Sequence, residues 1–377
     1  AGVAAHFAFP VRVQRNGQFF AVAEFVEDAD ELYLERAGLN PQGALYKMYN
    51  YVVPNLSPGG SGYEKKTRRT ESAADLNALA TGLARTGDAL LQYGFDNVNL
   101  PGTVNHLAAY TMTSATDVAH KNYYCFRDTT GTGEWQLLPW DLDLSFGRVW
   151  TGTFNYFDDR VYATNAVSPD GAAGNGNKFW DFGFRGSPAI RQMYLRRLRT
   201  LRDQFLSPPG GPDDWHVTNF SRWLPIIDAT GDATSDAALD LAKWKPAAWM
   251  LSGAPNNISP FRGNTMAQEI NRRLTDYIPQ RRTFLYTTYG PQLPAAQPAA
   301  PPLTFGTVDF NPGLPDSQNQ EYFTLVNPNA YAVEISGWTV SGGVNYTFPP
   351  GTVIPSSTLA TTNDPDRNKL YVARNAP

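Results

Sequence analysis

Two aspartates, Asp141 and Asp143, stand two residues apart in the otherwise apolar stretch of residues 137–147. Side chains at i and i+2 of a strand point to the same face, so a strand here would bring both carboxylates to one point. Two carboxylates that converge on a half-buried surface repel each other unless a cation lies between them. The stretch therefore predicts a magnesium or manganese site. The alternative is a strand end whose carboxylates cap turns or pair with arginines.

A second pair of polar residues lies upstream of this stretch. Asp117 and Asn122 are five residues apart, and Asp141 follows Asp117 after 24 residues. In protein kinases one carboxylate accepts the proton of the attacking hydroxyl, while an amide oxygen and a later carboxylate hold the metal on the phosphates. The order of the three residues predicts that arrangement. A helix N-cap for Asp117 and turn chemistry for Asn122 are the alternatives.

Composition limits the other classes of protein. With 377 residues, of which 42 % are hydrophobic and 13 % aromatic, the chain is long and apolar enough for two packed domains. A net charge of −4 without a dominant basic stripe argues against binding to nucleic acid. No apolar run is long enough to span a bilayer. The single cysteine, Cys125, excludes an internal disulfide framework and predicts a small buried side chain.

Several elements are predicted around the polar residues. The Asn16-Gly17 dipeptide between two apolar runs predicts a β-hairpin over residues 10–28. The Gly-, Ser- and Lys/Arg-rich residues 55–72 predict a loop. Further strands are predicted at residues 45–49, 123–126 and 135–138, and helices at residues 30–37, 72–93, 104–112, 187–205 and 265–286. The arginines of the helix over residues 187–205 predict a solvated face.

A Pro/Ala-rich tract at residues 291–302 divides the chain. Such a tract favours extended polyproline geometry and predicts a semi-rigid spacer. The residues after it, 303–377, show short strands and turns without a helical period, which predicts a small all-β sandwich. We therefore expect an α+β fold, with a first domain over residues 1–290 followed by the linker and the sandwich.

The first domain resembles the CotH kinase family, whose members are secreted or surface proteins with an atypical protein-kinase-like fold. The similarity extends over about residues 5–290. It is carried by residues 16–20, 26–27, 43–47, 117–124 and, most distinctively, Pro-Trp-Asp-Leu-Asp-Leu-Ser-Phe-Gly at 139–147. The region after the linker resembles a lamin-tail domain with an Ig-like fold, through residues 321–328 and 335–340.

The resemblance implies a role for each polar residue of the site. Asp117 would be the catalytic base, Asn122 and Asp141 would bind the metal, and Asp143 would be a second ligand or an orienting group. His120 would orient the loop, although a structural role is equally expected for a lone histidine. The implied cofactors are ATP and Mg²⁺ or Mn²⁺.

The family pattern also concerns the lysine that grips the nucleotide. Glu27 matches a hairpin glutamate that would pair with this lysine, which in the family lies upstream of the residue where this chain begins. We therefore interpret the chain as N-terminally truncated, with Lys47 as a substitute that reverses the usual order of lysine and glutamate. Whether the fragment is active stays open at this level.

Three functions follow as hypotheses. The first is an extracellular or cell-surface kinase that phosphorylates Ser/Thr hydroxyls of secreted or surface proteins. The second is an inactive surface adhesion or anchoring protein of the same fold, whose C-terminal β domain binds a surface partner. The third is a metal-dependent glycosyltransferase, because Asp-x-Asp also binds the metal of a nucleotide sugar. The absence of a Gly-rich βαβ pattern before the motif makes the third less favoured.

Overall fold

The computed structural model describes residues 2–115, 118–146, 176–244, 265–313, 320–362 and 364–373. Asp117 and Gly147 lie outside the described residues, whereas the other six predicted site residues lie within them.

The predicted hairpin is confirmed at the start of the chain. Its strands β1 (Ala8–Arg15) and β2 (Gln18–Val26) pair antiparallel. Asn16 and Gly17 both have positive φ, 53° and 75°, as the two central residues of a type I′ turn require.

Helix α1 (Glu31–Arg36) follows the hairpin. It begins after Asp30, whose side chain accepts a hydrogen bond from the Tyr33 backbone N–H at 3.0 Å. Such a cap satisfies a backbone donor that the helix itself leaves open. The predicted helix over residues 30–37 is thus confirmed.

A four-stranded antiparallel sheet forms the centre of the first region. Its strands are β3 (Ala44–Met48), β4 (Tyr63–Lys65), β5 (Tyr123–Arg127) and β6 (Trp135–Pro139), in the order β4-β3-β5-β6. β4 was not predicted: it lies within the expected loop, because three half-buried residues are too short a run to show alternation. Cys125 is buried as predicted.

The two faces of this sheet are covered differently. On one face Tyr46, Cys125 and Leu137 pack into the large core that the helices supply. On the other, Leu45, Tyr124 and Leu138 pack against α1 in a small cluster. Because successive side chains of a strand point to opposite faces, Lys47 lies on the same face as Leu45, beside the small cluster.

Helices cover the larger face. The predicted helix over residues 72–93 is two helices, because Thr86 and Gly87, the latter with φ of 59°, interrupt it. No helix among the described segments is long and apolar enough to cross a membrane. The α-helices are α2 (Ala74–Leu83), α3 (Gly87–Asn97), α4 (Leu100–Thr113), α5 (Lys178–Arg185), α6 (Pro188–Phe205), α7 (Asp214–Ser221), α8 (Leu224–Ile227), α9 (Asp236–Trp244), α10 (Met266–Arg272) and α11 (Ile278–Thr283). Two π-helical turns, Arg273–Tyr277 and Phe284–Thr288, continue α10 and α11.

The described residues after the Pro/Ala tract form an all-β region, which together with the first region makes the predicted α+β fold. A small core of Phe323, Leu325, Val333, Ile335, Phe348 and Ile354 holds it together. The strands are β7 (Thr304–Asp309), β8 (Tyr322–Val326), β9 (Val333–Glu334), β10 (Thr339–Val340), β11 (Tyr346–Thr347), β12 (Val353–Ile354) and β13 (Lys369–Ala373). They pair as β13-β8-β7, β12-β9 and β10-β11.

Three of the arginines of α6, Arg196, Arg197 and Arg202, are buried, and the other two, Arg191 and Arg199, are half-buried, which corrects the prediction of a solvated face. Arg196 donates to the carbonyl oxygens of Ala332 at 2.8 Å and Ala295 at 2.7 Å. Arg197 forms a buried ion pair with Glu334 and donates to the Asn105 side chain at 2.8 Å. The periodicity of the sequence could not reveal this burial. Arginines on a helix have the same spacing in the sequence whether their side chains face water or a second domain.

The Pro/Ala tract forms hydrogen bonds both to α6 and to the all-β region. Arg199 donates to the Pro294 carbonyl at 3.0 Å. The Gln297 side chain donates to the Glu334 carbonyl at 2.9 Å and accepts from the Glu334 N–H at 2.8 Å. The tract therefore joins α6 to the all-β region at hydrogen-bonding distance, where the sequence predicted a spacer.

Candidate active site

The register of the central sheet brings the predicted site residues to one end of it. Tyr123, the first residue of β5, pairs with Met48 at the end of β3 and with Pro139 at the end of β6. The chain before β5 and the chains after β3 and β6 therefore leave the sheet at the same edge. Asn122 stands immediately before β5, and Asp141 comes two residues after β6.

The two aspartates are not in a strand, which corrects that prediction. Strand β6 ends at Pro139, and Asp141 has a φ of 53°, in the left-handed region that a strand cannot contain. Both carboxylates nevertheless line one cleft of about 340 Å³, within the range of small-molecule sites. They face it from an irregular segment rather than from one face of a strand.

The hairpin supplies the opposite wall of this cleft. Glu24 and Val26 of β2 line it together with His6 and Trp140. The His6 ring lies 5.1 Å from the Trp140 ring, edge to face, and its Nδ1 is 3.0 Å from the Glu27 carbonyl oxygen. Glu24 is a third carboxylate of the cleft that the sequence did not reveal, because the motif lies more than a hundred residues away.

Left-handed backbone is concentrated around the site. Ala119, Asn122, Asp141 and Phe146 have φ of 72°, 64°, 53° and 52°. Asparagine and aspartate tolerate this region, but alanine in it costs about 1–2 kcal/mol. Such conformations persist where the surrounding structure fixes them, and they cluster at functional sites. Asn122 is also buried, with 7 % of its surface exposed.

The donor atoms available to a metal are hard oxygens. Asp141 and Asp143 offer carboxylates in the cleft, and Asn122 offers an amide oxygen at the same edge of the sheet. Within the described segments, no three histidine, cysteine or carboxylate side chains lie close enough to hold a metal. Carboxylate and amide oxygens completed by water suit Mg²⁺, which keeps several waters, better than they suit a transition metal.

Lys47 lies on β3 beside Trp140, a residue of the cleft wall. Its ammonium lies 4.5 Å from the centre of the Trp140 ring and 5.4 Å from that of Tyr49. Partial burial lowers the pKa of Lys47, while the charges of Glu64 and Asp141 oppose that effect. Among the described residues the amine has no ion pair, so its three N–H donors remain available to a ligand.

Glu64 is the carboxylate beside Lys47, and sequence reasoning missed it. It lies on β4 directly opposite Lys47. Its two oxygens are held separately, Oε2 by the Tyr49 hydroxyl at 2.8 Å and Oε1 by the Lys66 ammonium at 3.2 Å. The Tyr49 hydrogen bond, followed by Lys66 and Lys47, lowers the pKa of Glu64. Sequence reasoning missed Glu64 because β4, the strand that carries it, was not predicted.

Glu27 is engaged elsewhere. Both of its oxygens accept hydrogen bonds from Arg36, at 2.7 and 2.6 Å, and Oε2 also accepts from the Phe7 N–H at 3.1 Å. Arg36 accordingly lowers the pKa of Glu27. This geometry ties the hairpin to α1, and it places Glu27 with an arginine rather than with the expected lysine.

His120 lies on the loop before β5. Its Nδ1 is 3.3 Å from the Val118 carbonyl oxygen, and its ring centre is 6.4 Å from that of Tyr51. These contacts suit a residue that holds the loop carrying Asn122. The predicted base, Asp117, lies outside the described residues.

A comparison with protein families identified a matching family. The family model described as CotH kinase protein matches residues 1–209, just over half of the 377 residues. The matched range contains the hairpin, the central sheet and every predicted site residue. A comparison with curated proteins gave no match.

Proposed function

Because the chain belongs to the CotH kinase family, we propose that it transfers the terminal phosphate of ATP to Ser/Thr hydroxyls of secreted or cell-surface proteins. The observation that carries the proposal is the common edge of the sheet. Asp141 and Asp143 line one cleft there with Trp140, and the Lys47 ammonium lies 4.5 Å from the centre of the Trp140 ring. The buried Asn122 stands at the same edge, immediately before β5. Cation, amide and carboxylate are the groups that phosphoryl transfer uses to hold phosphates and their metal.

Each residue receives a role in this reaction. Asn122 and Asp141 hold the divalent metal, and Asp143 is a second ligand or orients the first. When bound, Mg²⁺ neutralises the charge that develops on the phosphates. Lys47 grips the phosphates of the nucleotide, since its amine lies beside Trp140 of the cleft wall.

The acceptor is activated from the loop before β5. Asp117 accepts the proton of the attacking hydroxyl, and His120 positions that loop. The hydroxyl oxygen then attacks the terminal phosphorus while ADP leaves. Glu27 keeps the hairpin attached to α1 and does not touch the nucleotide.

Labelled ATP tests this proposal on the full chain. We expect metal-dependent phosphate transfer to the chain itself or to a casein-like acceptor, abolished by a chelator and by Asp141→Ala. Asp96→Ala, which removes an exposed carboxylate on α3, is the matched control and should leave transfer unchanged. Absence of transfer both with Mg²⁺ and with Mn²⁺ would contradict the proposal.

A second function, anchoring without catalysis, is favoured by the surface of the all-β region. Phe305 and Phe310 are 60 % and 77 % exposed on and just after β7, an edge strand of its sheet. An exposed apolar edge of this kind fits a surface partner. Nucleotide binding separates the two functions, because a rise in Tm with ATP and Mg²⁺ is expected only of the kinase.

A further inference from the structure

A second cavity lies behind the segment that carries the two aspartates. Its volume is about 110 Å³, and Phe146 forms one wall. The other walls come from α4, α6, α7 and the helical turns around Tyr277. Trp215, which is 44 % exposed, stands at its rim, so the cavity is within reach of solvent.

The lining is mainly apolar. Met112, Leu201, Phe205 and Ile278 contribute much of it. An apolar cavity of roughly 150 Å³ engineered into another protein stays dry and binds benzene. The present cavity therefore fits one six-membered ring or a short branched chain.

One polar atom in this lining has no partner. His216 is 4 % exposed, and its Nδ1 is buried without a hydrogen bond. Burial lowers the pKa of His216 to about 4, so that its ring is neutral near pH 7. An unmade hydrogen bond of a buried group is costly, and a hydroxyl can satisfy either tautomer because it both donates and accepts.

We propose that this cavity is a binding site for a compact, neutral, apolar or aromatic molecule that carries one hydroxyl, with the hydroxyl directed at Nδ1 of His216. The volume selects the size of the ligand, the lining selects its apolar body, and the histidine selects its single polar group. A cationic ligand is excluded, because Arg281 already places a positive charge in the lining and the lining residues include no carboxylate to balance a second one.

The occupant of this site contacts the end of the acidic segment. The Phe146 N–H donates to the Thr113 carbonyl at 2.7 Å, and its own carbonyl accepts from Arg273 at 2.6 Å. Its ring packs edge to face on Phe220, with centres 5.0 Å apart. A ligand against this ring packs on a residue that is already fixed on three sides, and Phe146 lies only three residues after Asp143.

Phenol and toluene test the proposal as matched probes, since they share a ring and differ in the hydroxyl. Binding to the full chain is measured by calorimetry and by the shift in Tm. We expect both to bind, and His216→Phe to weaken phenol about fivefold while it leaves toluene unchanged or tighter. Equal loss of both probes, or no effect on phenol, would overturn the role of His216.

A cavity-filling variant locates the binding. Ala109 lines the cavity, and Ala109→Phe should abolish the binding of both probes, with Ala109→Ser as a control that leaves toluene bound. If Ala109→Phe does not fold, the His216→Phe comparison still decides. Undiminished binding to a folded Ala109→Phe chain, or no binding of either probe to the wild-type chain, would refute the site.

Discussion

The charged side chains of two regions of this molecule differ in their exposure and in their pairing. At the cleft, Asp141 and Asp143 are exposed, Lys47 keeps its N–H donors available, and the backbone is repeatedly left-handed. At the contact between α6 and the all-β region, Arg197 and Glu334 are each about 6 % exposed and are bonded to each other. Buried ion pairs are part of the packed interior, whereas exposed charges can bind a ligand.

The difference predicts which substitutions affect stability and which affect activity. Substitutions at the contact should unfold the protein without a specific effect on chemistry. Substitutions at the cleft should do the reverse, because strain and exposed charge are not what holds the fold together.

The largest expected effect is at the contact. Arg197→Ala leaves Glu334 buried without its cation, so we expect the free energy of unfolding to fall by about 3–5 kcal/mol. Denaturant titration measures it. The control is Arg68→Ala, which breaks the more exposed pair with Glu71 and should leave the denaturation midpoint nearly unchanged, because water screens that pair. If Arg197→Ala behaves like this control, the contact is not the stabilising region.

The next effect concerns the cleft. Asp141→Asn should reduce phosphate transfer by about 10²–10³-fold, because the amide that replaces the carboxylate is a weaker, uncharged metal ligand. Its free energy of unfolding should change by no more than about 0.5 kcal/mol, since the side chain is exposed and asparagine tolerates the φ of 53°. A variant that loses both activity and stability would place Asp141 with the structural group.

Glu64 and Glu27 sharpen the comparison within the first region. Glu64→Gln should strengthen the binding of ATP by roughly two- to fivefold, because it removes a negative charge beside Lys47 that repels the phosphates. Glu27→Gln should leave ATP binding unchanged, because the carboxylate it removes pairs with Arg36. Calorimetry with ATP and Mg²⁺ measures both. Weaker binding in Glu64→Gln would mean that Glu64 positions Lys47, and weaker binding in Glu27→Gln would assign that role to Glu27.

The smallest effect tests the strain. Ala119 has a φ of 72° and is fully buried. Ala119→Gly relieves about 1–2 kcal/mol of backbone strain but loses a buried methyl group, so its free energy of unfolding should change by less than about 1 kcal/mol. Ala80→Gly, at a buried position in the middle of α2, loses the same methyl group without relief of strain and should lower it by about 1–2 kcal/mol. An equal loss of stability in both variants would mean that the backbone at Ala119 is not strained.

Local sequence rules predicted much of the first region. The Asn16-Gly17 turn, the short helix over residues 30–37 and the apolar runs of β5 and β6 were all predicted from local signals, and each element formed where it was predicted. The rules failed at β4, which is only three residues long, and in residues 72–93, where Gly87 divides one apolar pattern into two helices.

For the candidate site, the spacing of Asp141 and Asp143 singled out the acidic segment, and the family match covers it. The strand assumed for this segment was wrong, since β6 stops at Pro139. All the proposed roles stay predictions, namely those of Glu27, Lys47, Asp117, His120, Asn122, Asp141 and Asp143.

By itself, the sequence determined the elements and the family, because hairpin turns, caps and apolar periods depend on neighbours within a few residues. Only the tertiary structure decided the partners of the charges. It placed Glu64 beside Lys47, Arg36 on Glu27 and the arginines of α6 inside a contact. The position of a charged residue in the sequence is the same whether its side chain faces water, a partner or a ligand. Only the fold determines which of these surrounds it.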